Sequence, residues 1–127
     1  MIFRLILLVT LLFAIGCSDL INESELESKR GLLYNPKNSK PYSGKVYKLY
    51  STGSKMREGV FDLGVIDGSY TYYDNEGSII NPIEENKLDL KDGKKYFPGT
   101  DKEYWGLAYG LYQTGEISYE VFYEGGK

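Results

Sequence analysis

The chain has 127 residues and carries a formal net charge of −3, with no histidine and a single cysteine. That length fits one small domain, and nothing in the acidic balance suggests affinity for nucleic acid or for anionic lipid. No disulfide can form within the chain, and the commonest general base and metal ligand is missing.

The first predicted element is an apolar leader. Arg4 supplies one positive charge, and the run from Leu5 to Ile15 is interrupted only by Thr10. A charged start, a short apolar core and small residues before a cut site make a secretory signal. The run is well short of the roughly 20 apolar residues a spanning helix needs.

The leader ends in Ala14-Ile15-Gly16-Cys17, which resembles the lipobox of bacterial lipoproteins, with alanine where the family prefers leucine. The resemblance implies cleavage between Gly16 and Cys17, leaving residues 1–16 as a signal peptide, and diacylglycerol plus a further acyl chain such as palmitate on Cys17. Acylation with two or more chains anchors a protein stably, at about 0.8 kcal/mol per buried CH₂. The resemblance further implies residence in the cell envelope, at the outer rather than the inner membrane of a two-membrane bacterium because Ser18 follows the cysteine; Asp19 stands one place later. No cofactor is expected apart from this covalent lipid, and with the only thiol acylated neither a cysteine nucleophile nor a thiolate zinc site is available.

From Ser18 to Arg30 the chain is largely polar, with Glu23, Glu25 and Glu27 and no aromatic residue. Such a stretch buries too little apolar surface to offset its ordering entropy. Residues 17–30 are therefore expected to form a lipidated flexible tether with a reach of roughly 20 Å.

From Gly31 onward glycine and tyrosine alternate with turn residues. Gly44, Tyr50, Gly53, Phe61 and Gly64 recur 62 residues later as Gly106, Tyr112, Gly115, Tyr123 and Gly126. A set of glycine, aromatic and turn positions held at one offset marks an internal repeat. A further copy is expected at Gly68 to Gly77, 24 residues after Gly44 and Gly53, with a turn one residue longer because Tyr73 stands four places before its glycine. The units are placed at about 44–67, 68–91 and 106–127, with an insertion at about 81–103 that includes the turn Lys91-Asp92-Gly93-Lys94; the run from Lys87 to Leu90 has no firm place.

Each unit reads as a β-hairpin, built from strand formers around glycine turns. Val46, Lys48 and Tyr50 fall on one face of the opening strand, Tyr47 and Leu49 on the other. The expected class is all-β: a meandering antiparallel sheet of stacked hairpins over residues 31–127. Gly68 to Gly77, with Tyr72-Tyr73 before the turn, resembles the MORN-repeat variant of bacterial proteins labelled YwqK-family antitoxins, and Lys40-Pro41-Tyr42-Ser43-Gly44-Lys45 resembles the segment before their first repeat. That resemblance implies a hairpin meander and attaches no catalytic residue to it.

Asp62, Asp67, Asp74, Glu76, Asp89 and Asp92 sit near glycines, where Asp serves the turn by bonding its own backbone. Neither a paired-carboxylate site nor the alternating acidic spacing of a calcium loop emerges. The expectation is a non-enzymatic, membrane-anchored envelope protein whose repeats act as an interaction or scaffold module for a protein partner. The alternative is an antitoxin or immunity-type protein that binds and neutralises a toxin. The tyrosines read chiefly as packing rungs. A sharper reading makes Tyr104, Trp105, Tyr109 and Tyr112 a binding strip, since tyrosine and tryptophan join an apolar ring to a polar tip. Finally, the strand near Ser118 to Tyr123 is expected to be a sheet edge blunted only by Glu116, Glu120 and Glu124, open to weak self-association or to a partner strand.

Overall fold

Paired residues with positive φ cut this chain into short strands. Arg30-Gly31, Leu63-Gly64 and Asp92-Gly93 each turn the backbone through two successive left-handed positions, the geometry that matches the twist of a two-residue hairpin. The computed structural model describes residues 20–127; Gly16, Cys17 and the leader lie outside the described residues. The strands are β1 (Leu20–Asn22), β2 (Glu27–Lys29), β3 (Leu32–Asn35), β4 (Lys40–Pro41), β5 (Gly44–Leu49), β6 (Lys55–Asp62) and β7 (Val65–Tyr73). There follow β8 (Ile79–Ile80), β9 (Ile83–Glu84), β10 (Asp89–Lys91), β11 (Lys94–Tyr96), β12 (Gly106–Leu111) and β13 (Ile117–Tyr123). Two single turns of 3-10 helix, Glu23–Glu25 and Glu85–Lys87, complete the set.

The class is all-β, as expected, but the strands do not form one meander. They group into a five-stranded sheet β1-β5-β6-β7-β8, two three-stranded sheets β13-β12-β9 and β2-β3-β4, and the hairpin β10-β11. Two pairings are parallel, β1 with β5 and β9 with β12. A parallel pair cannot be joined by a tight turn, so each is closed by the lead-in strands between its members.

The repeat is larger than a hairpin. Ile21 stands opposite Val46, and Ile83 opposite Ala108; both partners keep the 62-residue offset. So do the two 3-10 turns, the hairpins β2-β3 and β10-β11, and the β-bulges at Lys48/Leu49 and Gly110/Leu111. Backbone bonds repeat one for one. Tyr42 N–H donates to Leu33 O at 2.9 Å and Gly64 N–H to Tyr42 O at 2.8 Å; Tyr104 N–H donates to Lys95 O and Gly126 N–H to Tyr104 O, each at 2.9 Å. The described chain is thus a tandem pair of modules, residues 20–64 and 82–126, joined by β7 and β8.

This corrects three expectations. Residues 20–30 are not a flexible tether; residues 17–19 of that expected segment lie outside the described residues. Ile21 and Leu26 pack on the first core, and Glu23 forms an ion pair with Arg57 at 2.6 Å. The segment 81–103 is not an insertion: residues 82–103 are the counterpart of 20–41, and the unplaced run 87–90 closes the second 3-10 turn and starts β10. The turn after β7 is not longer than its relatives either. Asp74 takes the place of Tyr50, so that Asp74 N–H bonds Ser78 O as Tyr50 N–H bonds Ser54 O. The third hairpin, β7-β8, is real but stops after Ile80.

Each module has its own core, on matching positions. Tyr42, Val46 and Phe61 form the first, with Ile21 and Leu26 against them; Tyr104 and Ala108 form the second with Leu88, and Ile83 and Tyr123 pack around it. Tyr42 and Tyr104 are the keystones: each hydroxyl donates to a backbone carbonyl three residues on, Lys45 O at 2.9 Å and Leu107 O at 2.7 Å. The phenol can then be buried with its polar tip satisfied.

Candidate functional site

The expected strip of aromatics is divided among three environments. Tyr104 belongs to the second core at 1% exposure, which removes it from any binding surface; burial holds its phenol far above the usual tyrosine range. Trp105 meets the edge of Tyr50 with ring centroids 5.2 Å apart and planes at 89°, so it serves the seam between the modules. Tyr109 is half-buried on β12 and lines a shallow cleft with Glu84, Asn86, Leu111 and Tyr119. Tyr112 alone of the four is well exposed.

The seam accounts for much of the remaining chemistry. Glu124 accepts from the backbone N–H and the hydroxyl of Ser51, both at 2.6 Å, and these bonds hold its carboxyl below the usual range. Lys48 and Arg57 stand over the ring of Phe122 at 4.5 and 5.0 Å. Arg57 also lies 4.1 Å from the Tyr70 ring, which places its guanidinium between two aromatic faces while Glu23 holds its fork. Stacking of this kind suits arginine, whose planar cation is weakly hydrated.

Asp74 is the buried polar group of the seam. Burial alone would raise its pKa, but the N–H groups of Ser78 and Glu76 and the Lys102 ammonium at 3.2 Å outweigh it, and the net shift is downward. Its role is to cap a turn and join the modules.

A different surface is left over. Leu111, Tyr112, Ile117 and Tyr119 are all exposed at the outer end of the β12-β13 hairpin. Tyr119 lies across β12 in the space where Gly110 has no side chain; a Cβ there would fall 2.1 Å from the ring. Its hydroxyl reaches Glu85 at 3.3 Å. β13 forms the end of its sheet, with no strand on its second edge among the described residues. Sequence reasoning found Tyr112 and the edge but missed Ile117 and Tyr119. The signal was available in the repeat itself: Lys55 and Arg57 of the first module become Ile117 and Tyr119 in the second. Lys55 is exposed and Arg57 is stacked in the seam, whereas Ile117 and Tyr119 are both exposed and less polar, which marks surface that differs in use.

Among the described residues no group of three or more histidine, cysteine or acidic side chains is placed to hold a metal ion, and no helix is long and apolar enough to cross a membrane. The exposed patch offers rings, aliphatic groups, carboxylates and an open strand edge, which is chemistry for recognition. Compared with known protein families, curated proteins and solved structures, the chain matches none.

Proposed function

We propose that the protein is a lipoprotein of the bacterial cell envelope, held to the membrane by acyl chains on Cys17, whose paired β-modules work as a protein-interaction platform without catalysis of their own. The observation that carries this reading is the apolar leader ending in Ile15-Gly16-Cys17, with the chain's only cysteine at the junction. The exposed patch at Leu111, Tyr112, Ile117 and Tyr119 supports the platform half, because apolar groups clustered at a sheet edge favour contact with another chain. The likeness of Gly68 to Gly77 to MORN-variant units adds to it.

Radiolabelled palmitate tests the anchor. Labelled protein is expected in the membrane fraction, and globomycin is expected to block its processing to the shorter form. A chain that keeps residues 1–16 and an unmodified Cys17 in untreated cells sinks the envelope assignment. Crosslinking in intact cells, followed by mass spectrometry, then identifies what the platform touches.

A further inference from the structure

The tandem repeat shows what belongs at the open edge of β13. In the first module the matching strand, β6, is covered by antiparallel β7, with Arg57 opposite Tyr72, Glu58 opposite Thr71 and Phe61 opposite Ile66. A sheet edge without such cover presents a row of unpaired backbone N–H and C=O groups.

Two side-chain contacts depend on β7, and their counterparts are both missing. The Tyr50 hydroxyl donates to Tyr73 O at 2.6 Å, whereas the matching Tyr112 projects into solvent. The Glu58 carboxylate is held by Lys55 Nζ at 2.8 Å and by the Tyr73 hydroxyl. At the matching place Ile117 replaces Lys55, and no hydrogen bond or ion pair to Glu120 occurs among the described residues. The backbone edge, Tyr112 and Glu120 thus lack what one strand supplies in the first module.

We infer that β13 and Tyr112 form a docking site for a single extended strand of another protein. The strand adds antiparallel to β13 in the register β7 takes on β6, lends a backbone carbonyl to Tyr112, and carries a tyrosine or lysine that reaches Glu120. Strand addition of this kind draws affinity from main-chain bonds and specificity from alternate side chains. Charge selects a foreign strand over a second copy. Glu116, Glu120 and Glu124 lie on or beside β13, which has no basic residue. Antiparallel pairing of β13 with itself about its midpoint, Glu120, would set Glu120 against Glu120 and Glu116 against Glu124, which destabilises a ladder. A partner with a hydroxyl or ammonium at that place meets the charge instead.

The inference deepens the platform reading and rests on it, while making no use of the lipid anchor. Fluorescence anisotropy tests it with the full chain in detergent and two labelled peptides: the sequence of Val65–Tyr73, and the same peptide with Y73K. Both are expected to bind, the lysine version more tightly. Glu120→Gln should weaken the lysine peptide by about tenfold, the size of one charge-assisted hydrogen bond. Tyr112→Phe should weaken both by roughly three- to fivefold, as for one neutral bond. A peptide with proline at the places of Ser69 and Thr71 cannot extend a ladder and should not bind.

Absence of binding by either peptide overturns the inference. So does equal binding of the proline peptide, or indifference to both substitutions in variants whose circular dichroism matches the parent. Sedimentation showing a dimer that excludes the peptides would give the edge to a second copy and overturn it as well. Peptide failure leaves palmitate labelling and crosslinks in intact cells untouched, so the inference and the platform reading can fail separately.

Discussion

Tyr50 and Tyr112 hold the same position in two copies of one module, yet Tyr50 is 2% exposed and Tyr112 is 59% exposed. Both begin the same turn, with backbone bonds of 2.8 Å to Ser54 O and Glu116 O. What differs is the surroundings: Tyr50 is covered by Trp105 and the end of β7. Tyr50→Ala should therefore cost about 3–5 kcal/mol, as for other large buried rings. Tyr112→Ala should change stability by no more than about 0.5 kcal/mol. Urea titration of both variants measures the contrast, and equal losses would mean that the environments are misassigned.

Glycine closes each module at a point of close approach. A Cβ on Gly64 would meet Leu33 O at 2.9 Å, and one on Gly126 would meet Lys95 O at 2.6 Å, both at positive φ. Backbone cannot swing aside as a side-chain tip can. Gly64→Ala and Gly126→Ala should each destabilise by about 2–3 kcal/mol, combining left-handed strain with the clash. Gly53→Ala, with positive φ and open space around it, should lose only about 1 kcal/mol. Thermal melts of the three variants give the ranking.

The Glu23–Arg57 pair decides whether residues 20–30 belong to the fold. Its side chains are 19% and 11% exposed, and removing one member leaves the other charge poorly solvated. Glu23→Ala should cost about 2–3 kcal/mol, toward the lower end for a broken buried pair because some water reaches it. Deleting residues 20–30 should unfold the first module, whereas loss of a mere linker would leave the melting curve in place. Limited proteolysis, probing for cuts between Leu20 and Arg30, offers a check without mutation.

Acid should loosen the seam and the β6-β7 pairing beside it. Lys55 and then Tyr73 hold Glu58 below the usual carboxylate range, Ser51 does the same for Glu124, and Asp74 is lowered against the opposing effect of its burial. Each group therefore binds its proton more weakly in the folded chain than in the unfolded one. Their stabilisation is complete above the unfolded values of about 4, and it is lost as pH falls through the lower folded values. Chemical denaturation at pH 6, 4 and 3 should show a falling midpoint. Asp74→Asn should start lower at pH 6 and fall less steeply; a parallel curve would exclude Asp74 as a contributor.

The hairpins β5-β6 and β12-β13 were legible in the sequence because their turns demand glycine and their strands repeat tyrosine at a fixed spacing. Their lead-ins were not. Strands of two to four residues show too little alternation to register as a pattern, and the second lead-in has lysines at 94 and 95 where the first has Leu32 and Leu33. Parallel pairing, as of Ile21 with Val46, leaves no local trace because its partners are far apart in the chain. The aromatic strip failed for a related reason. Adjacent Tyr104 and Trp105 point to different neighbours, one into a core and one across a seam, and composition does not record direction.

The parallel strand β1 has a mechanical corollary. Only Ser18 and Asp19 separate Cys17 from Leu20, where hydrogen bonding to β5 begins. Three residues at full stretch cover about 10 Å. Under the proposed anchoring at Cys17, so short a leash would hold the first module against the lipid headgroups and let it sweep almost no volume. On that proposal a captured target would have to come to the bilayer, and one fixed tens of ångströms away would be out of range unless it extended an arm of its own.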